Sequence, residues 1–234
     1  MKNTTPDVSA RVSALRSKMK EAGIDAYLVP GTDPHQSEYP PEHFHCRHWL
    51  SGFYGSSGTL IVTMDRAGLW TDSRYFIEAE NRLAGTPIDL FRMETPGVPD
   101  FASWLASQLH PGDRLSFDAR LLSMSGERNL KDRLEPEGVE VQRGADLLTE
   151  IWEERPEMPK APVYVHEERY AGESAQSKLE RLRSSLADHG ADATIVTALD
   201  DIAWLLNLRG SDVAYNPVTV AYLLMEANAL DLCI

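Results

Sequence analysis

Apolar residues recur at helical spacing near the start of the chain. In RVSALRSKMKEAGIDAYLV, from Arg11, the residues Val12, Leu15 and Met19 fall on one face and polar residues fill the rest. Gly23 ends the period before the apolar run AYLVP. This pattern predicts a helix beginning after Asp7 or Ser9, a glycine stop and a short buried strand. The same pattern returns from Lys178 in KLERLRSSLADHGADATIV, which lays Leu182 on Leu15, Leu186 on Met19, Gly190 on Gly23 and Val196 on Val29. A Trp-Leu pair follows each copy after a gap, Trp49-Leu50 and then Trp204-Leu205. A repeated helix, stop and strand predicts two related α/β domains in tandem.

Between the copies, helical and strand periods alternate. GTLIVTM and AGLWTD, joined at Asp65-Arg66, read as a hairpin, and SRYFIEAENRLAG reads as a helix started by Ser73 and ended by Gly85. IDLFRM, RLSFDA and VEVQR are strands, with helices at Phe101 to Leu109 and Ser125 to Leu134 between them. The order predicts a mixed sheet with helices on its faces. The loop GTDPHQSEYPPEHFHCR is polar and proline-rich, and at that length it is expected to serve function. The domains are therefore read as 1–151 and 174–234, with 152–173 an ordered linker carrying three prolines and a cluster of charges. The second stretch is short against the roughly 100 to 150 residues of a typical domain. It closes in VTVAYLLMEANALDLCI, two apolar strands about a turn at Glu226 to Asn228, the second still running at Ile234. The expectation is an N-terminal fragment of a longer protein, its second domain truncated.

Charge narrows the choice of partner. With 36 acidic and 23 basic residues the formal net charge is −13, which argues against a nucleic-acid or anionic-membrane surface as the main partner. Cys46 and Cys233 form no spaced framework, and neither a signal peptide nor a membrane-spanning run is seen, so a cytoplasmic, reducing setting is expected.

Candidate chemistry is sparse. His43, His45, Cys46 and His48 crowd beside Glu42, but a zinc site closes with a second, separated cluster and none is visible, so a polar loop is the better reading. FYGSSGTL resembles a nucleophile elbow only faintly, since a strand follows where a helix is required. Its glycines suit a tight turn with Trp49 and Phe53 packed behind it. Two motifs remain. LWTDSRYF presents Arg74 at a strand-to-helix edge, where a guanidinium can grip a carboxylate or a peptide carbonyl; the plain alternative is an ion pair with Asp72 or Glu78. LNLRGSDVAYNPV sets Arg209 and Asp212 among turn-formers, either as a shaped loop or as a braced turn.

These stretches carry a resemblance. TDPHQSEY at Thr32, WLSGFYGSSGTLIVT at Trp49, LWTDSRYF at Leu69, IWEERPEMP at Ile151 and TALDDIAWLLNLRGSDVAYNPV at Thr197 are similar to the N-terminal part of the three-domain Xaa-Pro aminopeptidases, within the creatinase/prolidase metallopeptidase group. The resemblance implies two creatinase-type N-terminal domains before a catalytic pita-bread domain that this chain lacks. That domain holds two Mn²⁺ or similar ions on two Asp, one His and two Glu, and no such set occurs here. It also implies a homodimer, peptides with proline second as substrates, and Arg74 as a substrate contact, with Ser73 where relatives often carry Gly. Arg209, Ser211, Asp212 and Asn216 match a second-domain loop expected to face the catalytic domain, and Arg209 and Asp212 are secondary candidates for substrate binding. No metal, cofactor or catalytic residue is expected in the chain itself. The alternative is a metal-free, peptidase-like protein-binding module resembling a histone chaperone.

Overall fold

The structure, a computed structural model, describes residues 7–234. The chain divides into two compact units, the first ending at Pro156 and the second running from Glu157 to Ile234. In the first unit, helix α1 (Val8–Ala22) is capped by Asp7, whose side chain accepts the N–H of Ala10 at 2.9 Å. It stops where Gly23 turns left-handed (φ 65°) and its N–H closes on the Lys20 carbonyl. Val12, Leu15 and Met19 are buried, as the periodicity predicts.

Strand β1 (Ala26–Pro30) follows, then the short helix α2 (Cys46–Ser51), the hairpin β2 (Thr59–Thr63) and β3 (Ala67–Thr71), and a single 3₁₀ turn at Ser73–Tyr75. Next come α3 (Phe76–Leu83), β4 (Asp89–Arg92), α4 (Phe101–Gln108), β5 (Arg114–Asp118), α5 (Met124–Leu134) and β6 (Glu140–Gly144). Six strands form one mixed sheet in the order β4-β3-β2-β1-β5-β6, with β1 antiparallel to β2 and parallel to β5. Alternation along β1 feeds two cores. Tyr27 and Val29 pack with α1, while Ala26 and Leu28 pack with Trp104 and Leu105 of α4 and Leu130 and Leu134 of α5.

The structure corrects the sequence reading at three places here. The polar loop contains α2, whose six residues are too few to show a helical period. Asp72, not Ser73, caps the turn after β3. Trp49 does not sit behind the glycine turn: it stacks on Trp152 with ring centroids 5.1 Å apart, and only Phe53 lies behind the turn, its ring against Tyr75. Trp152 and Arg155 thus belong to the first unit although they lie in the segment read as linker. Arg155 donates to the carboxylate of Asp146, to the carbonyl of His43 at 2.9 Å and to Thr149 Oγ1 at 3.1 Å.

The second unit carries β7 (Tyr164–Val165), α6 (Glu168–Ala171), α7 (Ala175–Asp188), β8 (Ala193–Val196), α8 (Leu199–Leu206), β9 (Leu208–Arg209), β10 (Tyr222–Glu226) and β11 (Leu230–Cys233). Its larger sheet has the order β11-β10-β8 with antiparallel pairing throughout, and β7 pairs with β9. Strands β8, β10 and β11 therefore repeat β1, β2 and β3, and α8 repeats α2. Even the helix ends agree, since Gly52 after α2 and Asn207 after α8 are both left-handed. The repeat is thinner than its template. Leu182 and Leu186 are half-buried where Leu15 and Met19 are buried, because α7 covers three strands and the opposite sheet face is bare. Ile195, at the position of the buried Leu28, is 67% exposed. The last hairpin also begins later than predicted, at Tyr222, since Asp212 Oδ2 takes the N–H of Val220 at 2.8 Å in place of a ladder partner.

Candidate functional site

Where β3 ends, Asp72 turns the chain into the 3₁₀ turn and holds Arg74 in a closed fork. Its Oδ1 accepts the backbone N–H and the Nε of Arg74, each at 3.0 Å, and its Oδ2 accepts Nη2 at 2.8 Å. The fork holds the Asp72 carboxyl well below the usual carboxylate range and raises the guanidinium pKa. The same device recurs at the end of β5: Asp118 binds the N–H, Nε and Nη2 of Arg120 at 3.0, 3.0 and 2.7 Å. Arg120 is shared with a second acid, Asp146, at 3.3 Å. Arg74 instead turns its Nη1 toward Glu38, in a long ion pair whose Oε1 lies 3.7 Å away, beyond hydrogen-bond reach.

Arg74 thus makes the plain ion pair with Asp72 through Nε and Nη2 and keeps the Nη1 edge of its guanidinium for a further partner. It lines an open cavity of about 420 Å³ at the carboxyl end of β1 and the amino end of β2, with Gly31, Thr32, Glu38, Ser56 and Gly58. Ser56 Oγ donates to Glu38 Oε1 at 2.9 Å and lies 2.9 Å from the Tyr75 hydroxyl, which fixes the rim.

Below this cavity lies a residue that sequence reading passed over. Arg47, on α2, is 1% exposed. Its guanidinium donates to the carbonyls of Gly55 and Ser57 and to His48 Nε2 at 3.0 Å, and it lies 5.1 Å from the Phe53 ring centroid. No carboxylate pairs with it among the described residues, and its Nε is buried without a partner. Burial pushes its pKa down to about 10, and burial together with the Arg47 charge pushes that of His48 down to about 3, so the imidazole is neutral and accepts from Arg47. The signal was present in the spacing Arg47, Leu50, Ser51, which puts an arginine on the buried stripe of a helix.

His43 Nδ1 lies 2.8 Å from the carbonyl of Pro156, and His45 Nε2 lies 3.0 Å from that of Pro40, with the His45 ring centroid 4.4 Å from that of His48. Among the described residues no three His, Cys, Asp or Glu side chains converge as metal ligands, and the Cys46 thiol is pushed up to about 12 by burial. In the second unit, Arg209 and Asp212 do not pair with each other. Arg209 Nη1 donates to the carbonyls of Ala203 and Leu208, each at 2.8 Å, and Asp212 accepts the N–H groups of Ala161 and Val220 at 3.1 and 2.8 Å. Asp212 thus braces the loop that carries Tyr215, a fully exposed residue in the left-handed region (φ 61°), while Arg209 ties β9 to α8.

Comparison with known proteins follows the two units. The chain is 42% identical over 230 residues to aminopeptidase P2 of Arabidopsis thaliana, and 35% identical over 234 residues to Xaa-Pro aminopeptidase 1 of Dictyostelium discoideum. Each alignment covers 96% of this chain but only 32% and 37% of the relative, so the chain spans about a third of their length. Among solved structures it matches the X-prolyl aminopeptidase of Caenorhabditis elegans, described as a cytosolic enzyme with a di-nuclear active site. The TM-score is 0.90 at 33% identity, over 96% of this chain and 38% of that one. Sequence families described as creatinase/prolidase N-terminal domain match residues 11–151 and, separately, residues 154–234. With a creatinase/prolidase N-terminal domain matched in each unit, the chain belongs to the creatinase/prolidase N-terminal domain family.

Proposed function

We propose that this chain is the N-terminal, non-catalytic part of a Xaa-Pro aminopeptidase, a cytoplasmic homodimeric enzyme that removes the first residue of peptides with proline in second position. The observation that carries this reading is the likeness to aminopeptidases across nearly the whole chain, which takes up about a third of each. The chemistry then belongs to the remaining two thirds, where a di-nuclear centre, with Mn²⁺ the proposed metal, would polarise the scissile carbonyl and supply the attacking hydroxide. The residues of this chain do different work. Arg74, stiffened by Asp72 and open at Nη1, is positioned to hold a peptide acceptor at the cavity rim. Asp212, which shapes the loop around Tyr215, and Arg209, fixed beside it against α8, are placed for contact with substrate or with the catalytic part. A metal-free protein-binding module is not favoured, since the relatives carry peptidase names.

Two measurements test the proposal. The purified chain should release no residue from an Xaa-Pro-Yaa peptide, with or without Mn²⁺, and turnover by the chain alone overturns the non-catalytic reading. In the full-length enzyme, Arg74→Ala should lower kcat/KM by about ten- to a hundredfold, as expected for a lost charge-assisted hydrogen bond, with Tm unchanged. Normal activity in that variant would leave Arg74 only its ion pair with Asp72.

A further inference from the structure

The internal duplication supplies a control for Arg47. Superimposing α8 on α2 through their Trp-Leu pairs and left-handed caps places Ile202 where the first unit has Arg47. Strand register does the same for the residues around it: Ala198 takes the place of Gly31 after the first strand of the repeat, and Ala221 takes the place of Gly58 before the second. In the second unit Ile202 and Ala221 are ordinary core, 4% and 2% exposed. In the first unit the trio is Gly31, Arg47, Gly58. A Cβ on Gly31 would lie 2.9 Å from Arg47 Nε, and one on Gly58 would lie 2.8 Å from Arg47 Nη1. Gly31 makes room for the guanidinium, whereas Gly58 is also closed to a side chain by the Trp70 carbonyl, 2.8 Å from the same Cβ, and the second unit builds the equivalent core without a guanidinium.

A buried charge that the fold does not need, with no acid beside it, is destabilising unless something else uses it. Gly31 and Gly58 are also walls of the cavity that holds Arg74, so the guanidinium lies one glycine's thickness behind the cavity floor. Glu38 is the acid among the residues that line the cavity, 52% exposed and screened by water, while the buried Asp33 carboxylate beside Thr32 turns its Oδ1 to the N–H groups of His35 and Ser37. The cavity thus has the Arg47 guanidinium behind its floor and hydroxyls along its wall, with Thr32 and Ser56 among its residues. Such a fixed charge behind backbone is preorganised for an anion and costs no rearrangement when one arrives.

We propose that this cavity is a carboxylate subsite, its selectivity set by the buried Arg47, and that its occupant is the terminal carboxylate of a short peptide. The inference rests on the proposed function, in that Arg74 holds the same peptide. The test uses the 234-residue chain, labelled with ¹⁵N, and two probes: an Xaa-Pro-Yaa tripeptide with a free C-terminus and its C-terminal amide. Binding is followed through the amide signals of Gly31 and Gly58. The acid should bind about tenfold more tightly than the amide, the factor that corresponds to about 1.4 kcal/mol. The variant Gly31→Ala/Arg47→Ile, which copies the second unit at two of the three positions and keeps the Gly58 signal, should fold and bind both probes alike, and Arg47→Lys should retain part of the preference because the charge remains. An amide of an acidic tripeptide, Xaa-Pro-Glu, separates terminal from side-chain carboxylate: binding as weak as the neutral amide supports the terminal group, and binding as tight as the acid overturns that assignment. Equal binding of acid and amide by the unaltered chain overturns the subsite while leaving Arg74 standing. Arg74→Ala that weakens neither probe overturns the role of Arg74 instead. No binding of either probe overturns both.

Discussion

Replacing Arg155 by alanine should unfold the first unit at a markedly lower temperature. The Arg155 side chain is 7% exposed and that of its partner Asp146 is 6%, so the substitution strands a buried carboxylate. Breaking such a pair from one side costs about 3 to 5 kcal/mol. Asp146 keeps Arg120 Nη2 at 3.3 Å and the N–H of Leu148 at 3.0 Å, which places the loss at the lower end, about 3 kcal/mol. Arg155 also lies 5.6 Å from the Trp152 ring, and Trp152 stacks on Trp49, so tryptophan fluorescence reports the transition of this unit. The two units can melt separately, and only the transition seen by that stack is to be read. A loss of about 3 kcal/mol should lower its Tm by about 6 to 12 °C. Arg155→Lys should recover little, since one ammonium cannot reach Asp146, Thr149 and the His43 carbonyl together. A shift in Arg155→Ala no larger than an ordinary surface substitution, about 0.5 kcal/mol, would refute the reasoning and return residues 152–156 to the status of a linker.

Other expectations follow from burial and charge. His48 is held neutral with its pKa lowered to about 3, so the stability it protects is fully present above its unfolded pKa of about 6.5 and is lost as pH falls toward 3, at up to about 1.4 kcal/mol per pH unit. Urea midpoints measured between about pH 7 and pH 5 should fall less steeply in His48→Gln, and an unchanged slope would refute the assignment. Leu15→Ala should cost about 2 to 5 kcal/mol, whereas Leu182→Ala, at the half-buried equivalent, should cost about 1 kcal/mol; equal losses in chemical denaturation would refute the thinner packing of the repeat. The bare face of the β11-β10-β8 sheet should associate at high concentration, and light scattering should return to the monomer value in Ile195→Asp; a strictly monomeric unaltered chain would count against it. Charged substitutions at Leu230 and Leu232 would test the core instead, since both pack inward against Leu223.

How much of this was legible depended on the length of each signal. Helix α1, strand β1 and the β2-β3 hairpin could be read because Val12, Leu15 and Met19, or the runs in TLIVT and AGLWT, repeat a period long enough to recognise. The duplication was legible for the same reason. Helix α2 was not, since six residues behind a proline-rich stretch hold fewer than two turns. With α2 unseen, Arg47 read as one more charge in a polar loop, and the subsite it underlies could not be inferred. Arg74 was found from its place at a strand end, but its closed fork with Asp72 was only one of two readings until the distances were known. The late start of β10 was hidden because a side chain, Asp212, supplies what a neighbouring strand supplies elsewhere.

The Asp-x-Arg fork closes over two residues, so it forms with its own turn and owes little to the rest of the domain. An arginine ordinarily surrenders much rotamer freedom when it is gripped, and that loss is charged against affinity. At Arg74 the loss is already met within the turn before any ligand arrives. What remains for a ligand is to bring an equally ordered acceptor to a single N–H edge. A peptide whose φ is locked by proline is such an acceptor. Under the proposed function, two groups that are each stiff beforehand meet with little left to freeze, and preference for proline arises partly from shared rigidity, not from contact with the proline ring alone.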